Sequence, residues 1–422
     1  MQSNFFISQF KRITNSSTEN INIIIYVLIF VLSLDTLLNQ TGDLIGDPLK
    51  SSAGIVLFIT LSLITLVAQI LVLQFVGKNS AEIQRKIKSI RLLHRSVTII
   101  QYIIIGIFVF LIFEIVLKQN YLPVSSMLVT FLSYMQTTIL MALFTFIFLS
   151  WYKTNHNSVL VLLYGLSFAT VVIASFAILI VFLHQFSDKL FIPIISTSPG
   201  TFLSTEEGTI WKIFAKTYQF SDMASFFLKW AGTALMLYHY AQKIGHAKYW
   251  FLLSLPLLYF SMLIIYHLHI YEPHEELEQL IFYSIIALNS TFGGILFYIA
   301  FKLTVKNLKS NKLFKSYLIM AGYGFMLFFS GTQSVLTNTG YPPFGFSTVS
   351  SYGLGSYLIL MGLYLSAKSI SRDEQLKEIV KNSTLAESKF LHSIGMSESE
   401  REKKLLKDVL VRTKEQQENI KK

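Results

Sequence analysis

The stretch "IIYHLHIYEPHEELEQL" contains the residues of this chain whose types and spacing are best suited to chemistry. It places His267, His269, Glu272 and His274 within a few residues, between two long apolar runs. Imidazole together with carboxylate is a donor set that suits zinc or copper(II). These four residues are therefore the candidate metal ligands.

Two features of the same stretch favour a plain polar hairpin. His267 and His269 point about 200° apart on a regular helix, so both bind one ion only where the helix end is broken. Pro273 disfavours helix at Glu272, which puts the glutamates that follow in the first turn of the next helix, where carboxylates are favourable without any ligand. A metal site, a pH-responsive histidine cluster and a hydrated hairpin all stay open.

Three charged residues stand inside apolar runs and are the next candidates. They are Asp35 in "VLSLDTLLNQ", Glu114 in "FLIFEIVLKQN" and Lys229 in "SFFLKWAGTALMLYHY". Such a charge costs on the order of 2.5–3.5 kcal/mol near the centre of a membrane helix, so it usually pairs or lines a wet cavity. Partial hydration near the helix ends is an alternative for Asp35 and Glu114. For Lys229 two interpretations stay open, a flexible stem that reaches toward the interface and a buried ion pair with one of those carboxylates. Gln136 is expected to hydrogen-bond between helices.

The elements that position these residues are membrane helices. The chain has 422 residues, of which 53% are hydrophobic and 14% are charged, against about 25% charged in a soluble protein. It has no cysteine, which excludes disulfides and thiol chemistry. No catalytic or nucleotide-binding signature occurs, so we expect neither an enzyme nor a resident cofactor, zinc or copper at the hairpin excepted.

Ten segments are apolar over the length that a spanning helix needs, about 20 residues. They are residues 21–39, 55–77, 97–117, 127–151, 158–183, 222–240, 249–269, 279–301, 317–337 and 348–367.

Lysine and arginine follow the positive-inside rule along these spans. Basic residues concentrate in alternate connections, above all "KNSAEIQRKIKSIRLLHRS" and "FKLTVKNLKSNKLFKS". This bias predicts a cell-membrane protein with both termini cytoplasmic. The net charge of +11 is then explained by topology and contact with the lipid bilayer, and we expect no nucleic-acid partner.

The predicted fold is thus an all-α, polytopic transmembrane bundle of about ten spans with a helical cytoplasmic tail. The transmembrane domain covers residues 1–367 and includes an outer loop at 184–221; the tail covers 368–422. Ser397 and Glu400 form a capping box after Gly395, which predicts a break between two helical pieces there. The tail is either a coiled coil that makes a homodimer or a solvated helix.

The C-terminal third resembles a known group of sequences. The runs "GGILFYIAFKL", "YLIMAGYGFMLFFSGTQ", "YPPFGFSTVSSYGLGSY" and "KFLHSIG" resemble uncharacterised polytopic membrane proteins of ammonia-oxidising archaea, over about residues 290–396. The resemblance implies an archaeal plasma membrane, and it carries no catalytic or binding residues across.

Two functions fit this layout. One is a sensor-like or scaffold membrane domain that signals through the tail to a separate cytoplasmic partner. The other is a secondary transporter of a small solute or metal ion, built from two inverted halves of five helices.

Overall fold

The computed structural model is helical over almost all of the chain that it describes. The described residues are 18–154, 158–184, 194–195, 209–238, 241, 245–267, 274–307, 312–331, 340–382 and 386–421. The first helices are α1 (Thr18–Ile45), α2 (Asp47–Lys50), α3 (Ser52–Lys86), α4 (Lys88–Lys118), α5 (Pro123–Thr154), α6 (Val159–His184) and α7 (Thr209–Leu237). They are followed by α8 (His246–His267), α9 (Glu276–Asn307), α10 (Lys312–Gly331), α11 (Phe346–Arg372), α12 (Glu374–Lys381) and α13 (Ala386–Lys421). Two short strands, β1 (Asn120–Tyr121) and β2 (Ile194–Ile195), pair antiparallel.

Eight of the described helices are long and apolar enough to cross a membrane: α1, α3, α4, α5, α6, α9, α10 and α11. Large apolar side chains cover their outward surfaces; Phe30, Phe110 and Phe146, for example, are 69%, 53% and 71% exposed. In water such a surface is unfavourable, whereas in lipid it meets matching hydrocarbon. The chain is therefore an integral, multi-pass membrane protein with an all-α fold.

The sixth and seventh predicted spans correspond to α7 and α8, which are not among these eight. Even so, α7 lies antiparallel beside α6. The Ser167 hydroxyl donates to the Ser225 carbonyl at 3.0 Å, and the hydroxyls of Tyr164 and Thr233 are 2.9 Å apart. This pairing brings part of α7 to the depth of a spanning helix. The count of ten spans stays a prediction.

Two predicted connections are partly helical, because the helices extend past their apolar runs. The basic connection after the second span continues α3 to Lys86, and α4 begins at Lys88, with extended backbone at Ile87. Lysine, arginine and glutamine are good helix formers, so loss of apolar character does not end the helix. The outer connection predicted at 184–221 is also helical in its last part, because α7 begins at Thr209.

The bundle has two ends, which we name after residues near the two ends of α11. The Gly345 end contains the N-terminus of α11 and the β1–β2 ribbon. There Tyr121 pairs with Ile194, and its hydroxyl donates to the Gly340 carbonyl at 3.3 Å. The Lys368 end contains the C-terminus of α11 and the first turns of α13.

The centre of the bundle is the antiparallel pair α10 and α11. In the apolar 18-residue stretch of each helix, 83% of the α10 residues and 89% of the α11 residues are buried, the highest shares among the eight helices. A side chain at Gly324 would lie 2.5 Å from the Ile359 backbone nitrogen, and one at Gly362 would overlap the Ala321 backbone. Small residues therefore let these two backbones touch, as in other membrane helix pairs.

The tail folds back onto the bundle. Asp373 caps α12 by accepting the Leu376 N–H at 3.0 Å, and α13 begins at Ala386. The break predicted near Gly395 is wrong, because α13 is continuous from residue 386 to 421. The Ser397 hydroxyl does not cap a helix; it donates to the Trp151 carbonyl at 3.0 Å.

Candidate functional site

Two of the four predicted metal ligands lie outside the described residues. His267 is the last residue of α8, and His274 is exposed just before α9, whereas His269 and Glu272 lie outside the described ranges. Glu276 falls in the first turn of α9, as predicted. Over the described part of the chain, no cluster of three or more histidines and carboxylates is placed to hold a metal. A zinc or copper site at this hairpin stays a prediction.

Asp35 caps the central helix across the bundle. Its carboxylate is fully buried and accepts the Gly345 N–H at 3.0 Å, the Thr348 N–H at 2.9 Å and the Thr348 hydroxyl at 2.9 Å. Gly345 is the N-cap of α11 with a φ of 90°, a left-handed value that favours glycine. A carboxylate at a helix N-terminus satisfies free N–H groups and opposes the helix dipole. Asp35 thus joins α1 to α11 and is not hydrated in the way that we considered.

Glu114 closes the turn between α4 and α5. Its side chain is 3% exposed and accepts the Leu122 N–H at 3.3 Å. The backbone reverses at Gln119, which has a φ of 51°. The partners of this carboxylate are local, so a structural role accounts for it.

The ion pair considered for Lys229 is wrong. Asp35 and Glu114 have the partners described above, and neither lies within 4.0 Å of the Lys229 ammonium, although all three residues are described. Lys229 is 2% exposed and donates to the Ser225 hydroxyl. Its Nζ lies 5.0 Å and 5.2 Å from the ring centres of Phe328 and Phe329, an arrangement that stabilises a cation. Asp222, two turns earlier on α7, is the carboxylate that acts on it electrostatically.

Two buried glutamine side chains lie beside α11, and only one of them hydrogen-bonds to it. Gln101 donates to the Gln69 side chain at 3.1 Å and to the Ser350 carbonyl at 3.0 Å. Gln136 is 1% exposed and lies against Gly353, and neither atom of its amide has a hydrogen-bond partner among the described residues. The interhelical hydrogen bond expected for Gln136 is therefore absent from the described part of the chain.

An ion network joins the tail to the Lys368 end. Lys368 Nζ lies 2.9 Å from Glu398 Oε1 and 2.5 Å from Glu402 Oε1. The indole N–H of Trp151 donates to Glu398 Oε2 at 3.0 Å, and Arg372 Nη2 lies 3.1 Å from Glu402 Oε1. The side chains of Lys368 and Glu398 are 7% and 0% exposed, so their charges are held away from water.

Apolar packing surrounds this network. Phe390 and Ile394 of α13 are 1% and 0% exposed, and the Phe390 ring centre lies 5.6 Å from that of Tyr164 in α6. Gly395 passes so close to Ile370 that a side chain there would overlap it. A continuous helix at Gly395 therefore follows from close packing, which a local capping pattern cannot reveal.

The local field holds Glu402 in its charged form. Partial burial raises the pKa of its carboxyl, but the hydrogen bonds and charges of Lys368 and Arg372 outweigh burial and keep the pKa below the usual value of 4.5. The pKa of His392, also on α13, is lowered from 6.5 by burial and by the charges of Lys381 and Lys377. For a histidine, a lowered pKa favours the neutral form. The docked tail thus favours an ionised carboxylate and a neutral imidazole.

None of the residues in this network was predicted from the sequence as a site residue. Lys368 and Arg372 are four residues apart on one helix, as are Glu398 and Glu402 on another. Such matched spacing of opposite charges was a signal of helix pairing. This signal is weak in the sequence, because charged residues are frequent throughout the tail and a solvated helix would carry them without any partner.

Comparisons with known proteins add no further assignment, because no family model, curated protein or solved structure matches this chain.

Proposed function

We propose that the protein is a sensor-like membrane domain whose cytoplasmic tail helix is the output element, in docked and released states. The observation that carries the proposal is the buried pairing of Lys368 with Glu398 and Glu402. It attaches the tail to the helix at the centre of the bundle, so a displacement of α11 acts directly on the tail contacts.

The two ends of α11 support this role. Asp35 holds the N-terminus by three hydrogen bonds to main chain and hydroxyl, and the ion network holds the C-terminus. Close backbone contact with α10 makes the helix a stiff element between these two attachments. A ligand or membrane change at the Gly345 end then reaches the tail without a soluble relay domain.

The energetics of the network suit a switch. Desolvating two charges costs several kcal/mol per ion, and their attraction roughly offsets that cost, so a buried ion pair contributes little net stability. The pairing is nevertheless specific, because removal of one partner leaves the charge of the other buried and unpaired. The ion network itself therefore adds little net free energy to docking, and a partner or ligand that binds the charges exposed by release can shift the balance between docked and released tails. The last part of α13, beyond Glu402, is the segment that we assign to a separate cytoplasmic partner.

Distance measurements in lipid nanodiscs test the proposal. Because the chain lacks cysteine, Lys153→Cys at the end of α5 and Lys407→Cys on α13 provide two unique spin-label sites, both exposed. We expect a short docked distance in the parent chain and a longer, broader one in Lys368→Met. We also expect the docked fraction to change with at least one of pH, bilayer thickness or zinc.

The matched control is Glu374→Gln, which removes an exposed pairing with Lys377 and should leave the distances unchanged. A tail that stays docked in Lys368→Met and in every condition is a fixed part of the bundle, and the proposal then fails.

A further inference from the structure

The bundle side of the tail junction is a cluster of donors around two carboxylates. We name Trp151, Lys368, Ser371 and Arg372 the donor socket. Trp151 donates to one carboxylate, Lys368 contacts both, and Arg372 binds that of Glu402. The Ser371 hydroxyl lies 3.3 Å from Glu402 Oε2 and also 2.9 Å from the Lys368 carbonyl, the two acceptors between which its one hydrogen is shared. The socket belongs to α5 and α11, and both acceptors come from α13.

The socket is built to hold an anion. Trp151 and Lys368 are 1% and 5% exposed, and the socket carries two positive charges. If α13 left with its carboxylates, a buried ammonium and a buried indole N–H would lose their partners, which is costly in a low dielectric. The released state is therefore favoured by any anion that takes the place of Glu398 and Glu402.

The donor types indicate which anion. Lysine, arginine, hydroxyl and N–H groups are the donors that proteins use for phosphate, which accepts several charge-assisted hydrogen bonds at once. A phosphate monoester carries a charge of about −1.5 to −2 near pH 7, comparable with the two carboxylates that it would replace. The socket lies at the end of a membrane helix, within reach of lipid headgroups as well as of soluble phosphates.

We propose that the donor socket is a phosphate-binding site, which Glu398 and Glu402 occupy in the docked state, so that a phosphate group and the tail compete for it. The inference rests on the proposed function, because it requires a tail that can leave. A soluble phosphate compound and a phosphate-bearing lipid present the same chemistry to the socket.

The test uses the full chain with the competing carboxylates neutralised. In Glu398→Gln/Glu402→Gln, we expect inorganic pyrophosphate to bind about tenfold more tightly than in the parent chain, measured by calorimetry in phosphatidylcholine nanodiscs. Adding Lys368→Met should abolish this binding, whereas adding Lys404→Met, on the exposed face of α13, should preserve it. In a second arm, phosphatidic acid replaces a minor part of the phosphatidylcholine, and thermal stabilisation is measured.

The arms separate the sources. Binding of pyrophosphate assigns the site to soluble phosphates, and Lys368-dependent stabilisation by phosphatidic acid alone assigns it to lipid. Absence of both effects overturns the proposal, as does binding that survives Lys368→Met. If the double variant does not fold, excess pyrophosphate or phosphatidic acid should lengthen the Lys153–Lys407 label distance in the parent background. No lengthening with either ligand also overturns the proposal.

A tail that responds to pH, bilayer thickness or zinc but to neither phosphate ligand leaves the proposed function intact while this inference fails.

Discussion

At the scale of single residues, buried polar groups in this bundle differ in whether they are satisfied. Asp35, Glu114 and the amide nitrogen of Gln101 each have hydrogen-bond partners, whereas the Gln101 amide oxygen has none within the described residues. The amide of Gln136 has none within the described chain. An unpaired buried amide costs about 1–3 kcal/mol, while an average interhelical hydrogen bond in a membrane contributes about 0.6 kcal/mol. The two glutamines should therefore respond to substitution with opposite signs.

We expect Gln136→Leu to raise the free energy of unfolding by about 1 kcal/mol, because it removes an unsatisfied amide at nearly constant volume. Gln101→Leu should lower it by a similar amount, because the Gln69 oxygen and the Ser350 carbonyl lose their donor. Reversible unfolding in mixed micelles measures both variants against the parent chain. If Gln136→Leu is as destabilising as Gln101→Leu, the amide has a ligand or water that stabilises it.

The same residues show what the sequence could and could not predict. Asp35, Glu114 and Lys229 were recognisable because a charge inside an apolar run is visible without a structure. The partners of Asp35 and the rings beside Lys229 were not, because they lie far away in the chain and periodicity does not say which helices touch. Lys368 and Glu398 went unnoticed for the reverse reason, since charges near a helix end or in a polar tail are ordinary.

At the scale of helices, the contact between α10 and α11 depends on missing side chains. At Gly362 an added methyl would overlap the Ala321 backbone, whereas at Gly106 on α4 nothing lies within 4 Å. The two glycines thus provide a matched pair in the same protein.

We expect Gly362→Ala to lower the free energy of unfolding by about 1–3 kcal/mol, the usual cost of overpacking. Gly106→Ala should raise it by about 0.5–1 kcal/mol, because alanine favours helix. Unfolding in mixed micelles again provides the measurement. Equal effects at the two sites would mean that α10 and α11 are not in close contact in the membrane.

The tail helices provide a prediction about pH. A depressed folded-state pKa contributes stability at high pH that is lost as the pH falls. Docking of α13 should therefore weaken first as the pH drops below about 6.5, the usual imidazole pKa that His392 regains on release, and again below about 4.5, the usual carboxyl pKa that Glu402 regains. The docked fraction from the spin-label distances, recorded against pH, measures both steps.

His392→Gln should remove the first step and Glu402→Gln the second. Glu374→Gln, with its exposed carboxylate, should change neither. A docked fraction that rises as the pH falls would contradict the sign of both shifts.

Element boundaries were harder to predict than element existence. Apolar runs marked the eight candidate spans because a bilayer demands such runs. They could not mark where α3, α7 or α13 begin or end, because polar helix formers continue a helix without an apolar signal, and tertiary packing holds Gly395 in a helix.

At the scale of the whole molecule, α7 and α8 decide the architecture. α7 has 29 residues and α8 has 22, or about 43 Å and 33 Å of helix at 1.5 Å per residue, against a hydrocarbon core of about 30 Å. Length therefore permits both helices to cross. If neither crosses, the protein has eight spans and the termini still lie on one side, so the charge bias of the termini does not distinguish the two architectures.

The turn between α7 and α8 does distinguish them. With ten spans, exposed Lys248 at the start of α8 lies on the same side as Lys86 and Lys407; with eight, it lies with Lys118 and His274. We expect ten, because the hydrogen bonds between α6 and α7 hold the two helices side by side. Single cysteines at these positions, labelled in oriented vesicles with a membrane-impermeant maleimide, give the answer. Labelling of Lys248→Cys together with Lys118→Cys would reduce the bundle to eight spans and place Lys229 in a hairpin that does not cross.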